Sequence, residues 1–310
     1  MKRNFVRIMA SAVILALLMV IHFATPSRSG LWLQTFYDSM HVLFFGVIAV
    51  CALLATPLHW SRQKRLLTVL VAVLALSALS ETAQIPTGRD ASFNDLLADW
   101  FGAAGFIAVA IVFSASISVP KGRGRYLILV GIALIAWPLL PLAKVSAAYL
   151  ERSQLLPELA NFDSRFGDMF FYVQNAELRK FRRSGEPTYS AEVSLGDGPW
   201  PGIIFHDMWP NWEPYSALVI EIENPETESL LVNVRVHDRA HKLGDQPHAD
   251  RFNMSYELQE GRHTLRIPLE EIRNAPRGRQ MDMSQIEGIV VFCSAGNAGR
   301  QFQLAEIRLE

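Results

Sequence analysis

Acidic residues are almost missing from the first half of this 310-residue chain. Residues 1–150 hold five Asp+Glu against twelve Lys+Arg, while residues 151–310 hold 25 against 17, so the formal net charge of -1 is a cancellation between two unlike halves. Only two cysteines occur, Cys51 in an apolar run and Cys293 in an expected strand, which excludes a disulfide scaffold. No basic stripe with interleaved aromatics is present, so nucleic acid is not an expected partner. Neither a G-x-S-x-G elbow nor a P-loop appears.

What the first half has instead is long apolar runs. Spanning a bilayer takes about 20 apolar residues, and five segments qualify: 8–24, 41–60, 66–85, 100–119 and 126–148. Lys2, Arg3 and Arg7 precede the first. That is also how a cleaved signal peptide begins. His22 stands two residues before Ala24, so no clean small-x-small cleavage site follows, and a retained span is the preferred reading. The cations Arg62, Lys64 and Arg65, then Lys121, Arg123 and Arg125, fall in alternate loops on the side of the amino terminus. By the positive-inside rule that side is cytoplasmic. An odd number of spans then carries everything after residue 150 across the membrane. Pro138 and Pro141 are expected to kink the fifth span.

Ionisable groups near a bilayer core cost at least a few kcal/mol unless paired or wet, so they are functional candidates by default. Asp38 and His41 stand three apart at the entrance to the second span, and Glu81 and Gln84 three apart at the outer end of the third. Arg89, Asp95 and Asp99 follow. The expected topology places all of them at one outer face, where Glu81, Asp38 and Asp95 can pair with Arg89 and leave His41 to titrate. Such a mouth suits a polar headgroup, or acid–base work with Glu81 and His41. The competing reading is that these groups satisfy one another and fix helix packing. For His41 the two readings stand level, and for Asp90 and Asp99 a solvated loop or helix-start acid is preferred.

Asp38-Ser-Met-His41, Glu81-Thr-Ala-Gln84, Arg89, and Asp95, Asp99 and Gly102 together resemble the VanZ-like membrane family over about residues 8–118. Its members show D-K-x-x-H, then E-x-x-Q with a following Arg, then D-x-x-x-N-x-x-G. Here Ser39 replaces the Lys and Asp99 the Asn. The resemblance implies a multi-pass protein of the bacterial cytoplasmic (inner) membrane with a cell-envelope role and an effect on glycopeptide susceptibility. It brings no agreed reaction.

Beyond the fifth span, 151–160 reads as a linker, and from Asn161 the period changes to two. Leu218, Ile220 and Ile222 alternate with polar or smaller partners, as do Val232, Val234 and Val236, and then Leu265, Ile267 and Leu269. Gly196-Asp197-Gly198-Pro199, Asn224-Pro225, Gly244-Asp245, Glu260-Gly261 and Pro276-Arg277-Gly278 punctuate them. About eight or nine short strands with such turns make a β-sandwich over 161–310. The expected fold is therefore a five-span membrane α-helical bundle, 1–150, followed by an all-β jelly roll.

Asn161-Phe-Asp-Ser164, Trp200-Pro-Gly202, Trp212-Glu-Pro-Tyr215, Asp250-Arg-Phe-Asn253, Gly261-Arg-His-Thr-Leu265 and Glu306-Ile-Arg-Leu309 resemble the galactose-binding-like, carbohydrate-binding jelly-roll modules. That resemblance implies sugar binding and a structural calcium at Asp163 and Glu306, with no other cofactor. Flat aromatics beside planar polar groups suit a sugar, which picks out Trp200, Trp209, Arg251 and Asn253. Trp212 and Tyr215 are expected in the core, Trp200 and Trp209 at the surface. His237, Asp238, His241 and His248 read as loop or surface groups, and Cys293 as packing. The expected partners are the lipid bilayer and an envelope glycan or lipid-linked precursor. The rivals are an enzyme acting on a lipid-linked glycan precursor and a structural envelope protein whose β-domain binds protein.

Overall fold

The computed structural model describes residues 2–23, 30–84, 92–113, 122–183 and 185–310. The chain divides into two compact units, Met1–Ser146 and Ala147–Glu310.

The first unit is helical: α1 (Lys2–Phe23), α2 (Leu31–Ala55), α3 (Arg62–Gln84), α4 (Phe93–Phe113), α5 (Arg123–Ala136) and the start of α6 (Leu140–Leu155). α2, α3, α4 and the stretch 123–155 are each long and apolar enough to cross a membrane. α1 is apolar over the shorter stretch Phe5–Val20. Leu67, Val71, Leu79, Leu129 and Ile132 stay exposed on these helices, an outward face that suits lipid. A smaller core of Phe45, Ile48, Val69, Val73, Ala103 and Ile107 joins α2, α3 and α4.

The helix limits differ from those read in the sequence. α2 begins ten residues before 41, and α4 seven before 100. In both cases polar residues interrupt the apolar run without ending the helix: Asp38 and Asp95 line an open cavity, and Asp99 is buried. At the start of α4 the Asp95 amide donates to Ser92 Oγ at 3.4 Å, a serine cap three residues ahead of an acid. Thr56 and Pro57 stop α2 short of Trp60. The last long stretch is interrupted by a 3₁₀ turn at Trp137–Leu139, where Pro138 and Pro141 remove two amide donors.

The second unit is a two-sheet antiparallel sandwich. β1 (Glu158–Ala160), β3 (Ala176–Arg182), β4 (Tyr189–Leu195), β6 (Ala217–Asn224), β9 (Gly261–Pro268) and β11 (Gln301–Leu309) make one sheet in the order β3-β4-β11-β6-β9, with β1 also on β11. β2 (Phe171–Gln174), β5 (Gly202–His206), β7 (Leu230–Asp238), β8 (Phe252–Leu258) and β10 (Ile286–Cys293) make the other, in the order β2-β5-β10-β7-β8. The chain passes back and forth between the sheets, as a jelly roll does. In β7 the period of two is obeyed: Val232, Val234 and Val236 all point inward. Trp212, Phe205, Phe302, Ile220 and Leu304 fill the space between the sheets. Leu269 departs from its expected strand. Pro268 ends β9 and Leu269 opens the short helix α8 (Leu269–Asn274), with Glu270 and Glu271 in its first turn. Segment 151–160 holds the end of α6 and strand β1. A third helix, α7 (Arg239–Leu243), follows β7.

Candidate functional site

In the helical unit, the polar residues singled out in the sequence gather at the ends of α2, α3 and α4 away from Arg62, Lys64 and Arg65. Asp38, Ser39, Ser92 and Asp95 line an open cavity of about 540 Å³ together with Thr35, Asn94, Trp137 and Pro138. That volume lies in the range of small-ligand sites. Behind it, His41 on α2, Glu81 on α3 and Asp99 on α4 are 5%, 5% and 0% exposed. His41 Nδ1 lies 3.0 Å from Asp99 Oδ1, Ser77 Oγ donates to Asp99 Oδ2 at 2.6 Å, and the Ser92 amide donates to Glu81 Oε2 at 3.1 Å. Glu81 Oε1 is buried, with no hydrogen-bond partner among the described residues. Arg89, Asp90 and the Gln84 side chain lie outside the described residues.

Asp99 is the correction here. Expected as a solvated helix-start acid, it is fully buried and bridges α2 to α3 through His41 and Ser77. Gly102, one turn further along α4, explains how the helices come so close: a Cβ there would sit 2.1 Å from the Val42 carbonyl oxygen of α2.

In the β-unit, strand register builds a second site. Tyr172, Ile204, Val290, Arg235 and Asn253 are paired in one row across β2, β5, β10, β7 and β8. Gln174, Gly202, Phe292, Asn233 and Ser255 form the next row. Because Val232, Val234 and Val236 face the core, Asn233 and Arg235 face out. Trp200 stands over this surface, 61% exposed, and Tyr172 is 53% exposed. Trp200 has a φ of 53°, a left-handed conformation that costs a non-glycine residue about 1 kcal/mol. Flanking contacts hold it: Asn175 Nδ2 and Gln174 Nε2 both donate to the Pro199 carbonyl, at 2.8 and 3.4 Å.

The result is a groove of about 340 Å³ lined by Gln174, Trp200, Gly202, Ile204, Arg235, Arg251, Val290 and Phe292. No carboxylate lines it among the described residues. Burial, with Arg251 close by, pulls the Arg235 guanidinium down to about 10, and its Nε has no hydrogen-bond partner among the described residues. Burial also lowers Arg251, whose Nε donates to Asn253 Oδ1 at 3.1 Å. Trp200, Arg251 and Asn253, named from the sequence, are thus together. Trp209 is not with them: it is half-buried against the core, and its carbonyl accepts from Trp212 Nε1 at 2.8 Å. Tyr172, Gln174, Arg235 and Phe292 were not anticipated. The parity of β7 pointed to Arg235; the others depend on which strands become neighbours.

Other expected groups are placed as follows. Trp212 is fully buried and Tyr215 packs on the core. Burial pushes the Cys293 thiol up to about 12, as befits a packing residue. Asp163 and Glu306 line one hollow of about 260 Å³. Asp163 already accepts from the Tyr189 amide and pairs with Arg182 at 3.8 Å, and Glu306 pairs with Arg308 at 2.8 Å. Arg182 and Arg308 thus stand beside these two carboxylates. His241 and Asp238 are fully buried, not surface groups. Asp238 caps α7 through the His241 amide and receives both terminal nitrogens of Arg279, which also clamps Asp250.

No family model matches the chain, and no curated protein does. Among solved structures it is similar to an exo-β-agarase, at 15% identity and a TM-score of 0.40 over 49% of this chain and 24% of that one. It is also similar to a family 11 carbohydrate-binding module from Clostridium thermocellum in complex with a β-1,3-1,4-mixed-linked tetrasaccharide, at 16% identity and a TM-score of 0.39 over 49% of this chain and 93% of the module. A third is an arabinose-bound α-L-arabinofuranosidase, at 11% identity and a TM-score of 0.36 over 50% of this chain and 26% of that one. The chain spans about a quarter of the agarase.

Proposed function

We propose that this is a multi-pass protein of the bacterial inner membrane whose β-unit, outside the cytoplasm, binds an envelope glycan. The groove on the β2-β5-β10-β7-β8 face supports this reading most directly. An exposed indole held in a strained turn offers a flat face for a sugar ring, Tyr172 offers a second, and Gln174, Asn233 and Asn253 offer planar polar groups. Two arginines without a facing carboxylate favour a glycan that carries carboxylate or phosphate. In the helical unit, the mouth lined by Asp38, Ser39 and Asp95 is read as the place where a polar lipid headgroup enters, and an effect on glycopeptide susceptibility would follow from either engagement. Isothermal titration of the full-length protein in detergent with acidic envelope oligosaccharides tests the groove. Trp200→Ala is expected to weaken binding by about tenfold or more, roughly 1.4 kcal/mol. Arg235→Gln is expected to weaken acidic ligands and leave neutral ones unchanged. Equal binding by wild type and Trp200→Ala would refute the reading.

A further inference from the structure

We propose that His41, Glu81 and Asp99 form a binding site for one divalent first-row transition-metal ion within the helical unit. The proposal goes beyond the glycan groove and does not depend on it. Each of the three residues offers one ligand atom, and these atoms all lie within 4.8 Å of one another. They come from three different helices, so the site exists only when α2, α3 and α4 pack. One imidazole with two carboxylates is a donor set for ions of the zinc and manganese kind; magnesium and calcium favour oxygen alone.

Charge is the first argument. Two carboxylates are buried in the part of the chain built to cross a bilayer, where an unbalanced anion costs several kcal/mol. Among the described residues, no lysine or arginine forms an ion pair with Glu81 or Asp99; the pairing recorded there is His41 with Asp99. A divalent cation removes the imbalance in one step. The second argument is an open valence. Glu81 is 5% exposed and its Oε1 has no hydrogen-bond partner among the described residues, although its other oxygen is fixed by the Ser92 amide at 3.1 Å. A buried acceptor left open beside two further ligands is what a cation would use.

The third argument is geometry. Two ligands each about 2.1 Å from one ion stand roughly 3.0–3.4 Å apart, and His41 Nδ1 and Asp99 Oδ1 are 3.0 Å apart. Ser77 Oγ, donating to Asp99 Oδ2 at 2.6 Å, orients that carboxylate from behind, the usual task of an outer partner. Three protein ligands leave a position for an oxygen from outside. Asp95, one helical turn from Asp99, and Ser39, two residues from His41, line the adjoining cavity through which such an oxygen would arrive.

The test uses full-length protein in detergent, stripped with chelator and dialysed. Cobalt(II) is titrated in and followed by its visible d–d absorption, with zinc(II) as competitor and magnesium as a control. One cobalt per chain is expected, displaced by zinc but not by magnesium, with a zinc-dependent rise in melting temperature. His41→Gln and Glu81→Gln are each expected to weaken uptake at least tenfold, while Asp245→Asn, at an exposed position of the β-unit, leaves it unchanged. The wild-type titration decides even if those variants fold poorly. Absence of cobalt bands together with no zinc-dependent stabilisation would overturn the proposal. So would uptake equal in wild type and the two variants, which would leave a cluster balanced by protons alone.

Discussion

At the scale of single residues, the most consequential groups are charged side chains taken out of water. In the β-unit, Arg279 donates to both oxygens of Asp238 at 2.6 and 2.9 Å and to both of Asp250 at 2.5 and 2.9 Å. Burial opposes ionisation of Asp238, but these bonds and the His241 and Asp282 amides hold it below the usual carboxylate range; Arg279 does the same for Asp250 and is itself held above its ordinary value. Removing Arg279 strands a fully buried carboxylate. Arg279→Ala is therefore expected to cost on the order of 3 kcal/mol, read as a drop in the thermal midpoint of the full-length protein in detergent. Two histidines beside this knot act in the opposite sense. Burial, with Arg235 and other cations nearby, pushes the His237 imidazole down to about 3, and His241 shifts the same way. Unfolded histidine titrates near 6.5. Below that pH the unfolded chain takes up protons that the folded chain refuses. Stability is thus complete above about pH 6.5 and declines as pH falls toward 3, by up to ~1.4 kcal/mol per pH unit from His237, with His241 acting in the same direction. Melting curves between pH 7.5 and 5 should show the decline, and His237→Phe should flatten it. A flat wild-type profile would contradict the account.

At the scale of elements, the helical unit depends on glycines where helices touch. A Cβ at Gly102 would meet the Val42 carbonyl at 2.1 Å, a backbone atom that cannot swing aside. Gly105 and Gly131 approach in the same manner between α4 and α5, at 2.8 Å. Gly102→Ala is expected to push α4 from α2 and cost about 1–3 kcal/mol, lowering the melting temperature; unchanged stability would mean that the close packing is not needed. At Gly46 the nearest atoms belong to the Phe106 ring, a side chain that can turn, so Gly46→Ala should cost less. The element scale is also where sequence reading succeeded and failed. Hydropathy located α2, α3, α4 and the last stretch, because lipid-length apolar runs carry their own signal. It misplaced the starts of α2 and α4, because Asp38, Asp95 and Asp99 look like helix ends until partners for them are known. Starting α4 at 93 moves Asp99 from the helix start to its second turn, and its burial beside His41 and Ser77 then follows from packing that no local pattern encodes. In the sandwich, the alternation in β7 and β9 showed which residues face the core. It did not show that β2 and β10 flank β5, and so Gln174 and Phe292 joined the groove, with Tyr172 on the same face, only through long-range pairing.

At the scale of the whole molecule, the charge cancellation has a physical basis. The basic half holds few acids because lipid penalises them, and four of its five, Asp38, Glu81, Asp95 and Asp99, meet His41 around one mouth and the cluster behind it. The acidic half spends its charges on surface and cross-strand pairs such as Arg179 with Glu192 and Lys242 with Glu287. Arg235 and Arg251 stand apart from that pattern, facing a groove with an exposed tryptophan and no acid. That exception is the basis for reading the protein as a binder of acidic envelope glycan. A glycan array probed with the full-length protein in detergent, in parallel with a Trp200→Ala, Arg235→Gln double variant, tests it most directly. The account predicts wild-type signal on carboxylate- or phosphate-bearing envelope glycans and its loss in the double variant. No signal on any envelope glycan, or signal that the double variant keeps, would contradict it.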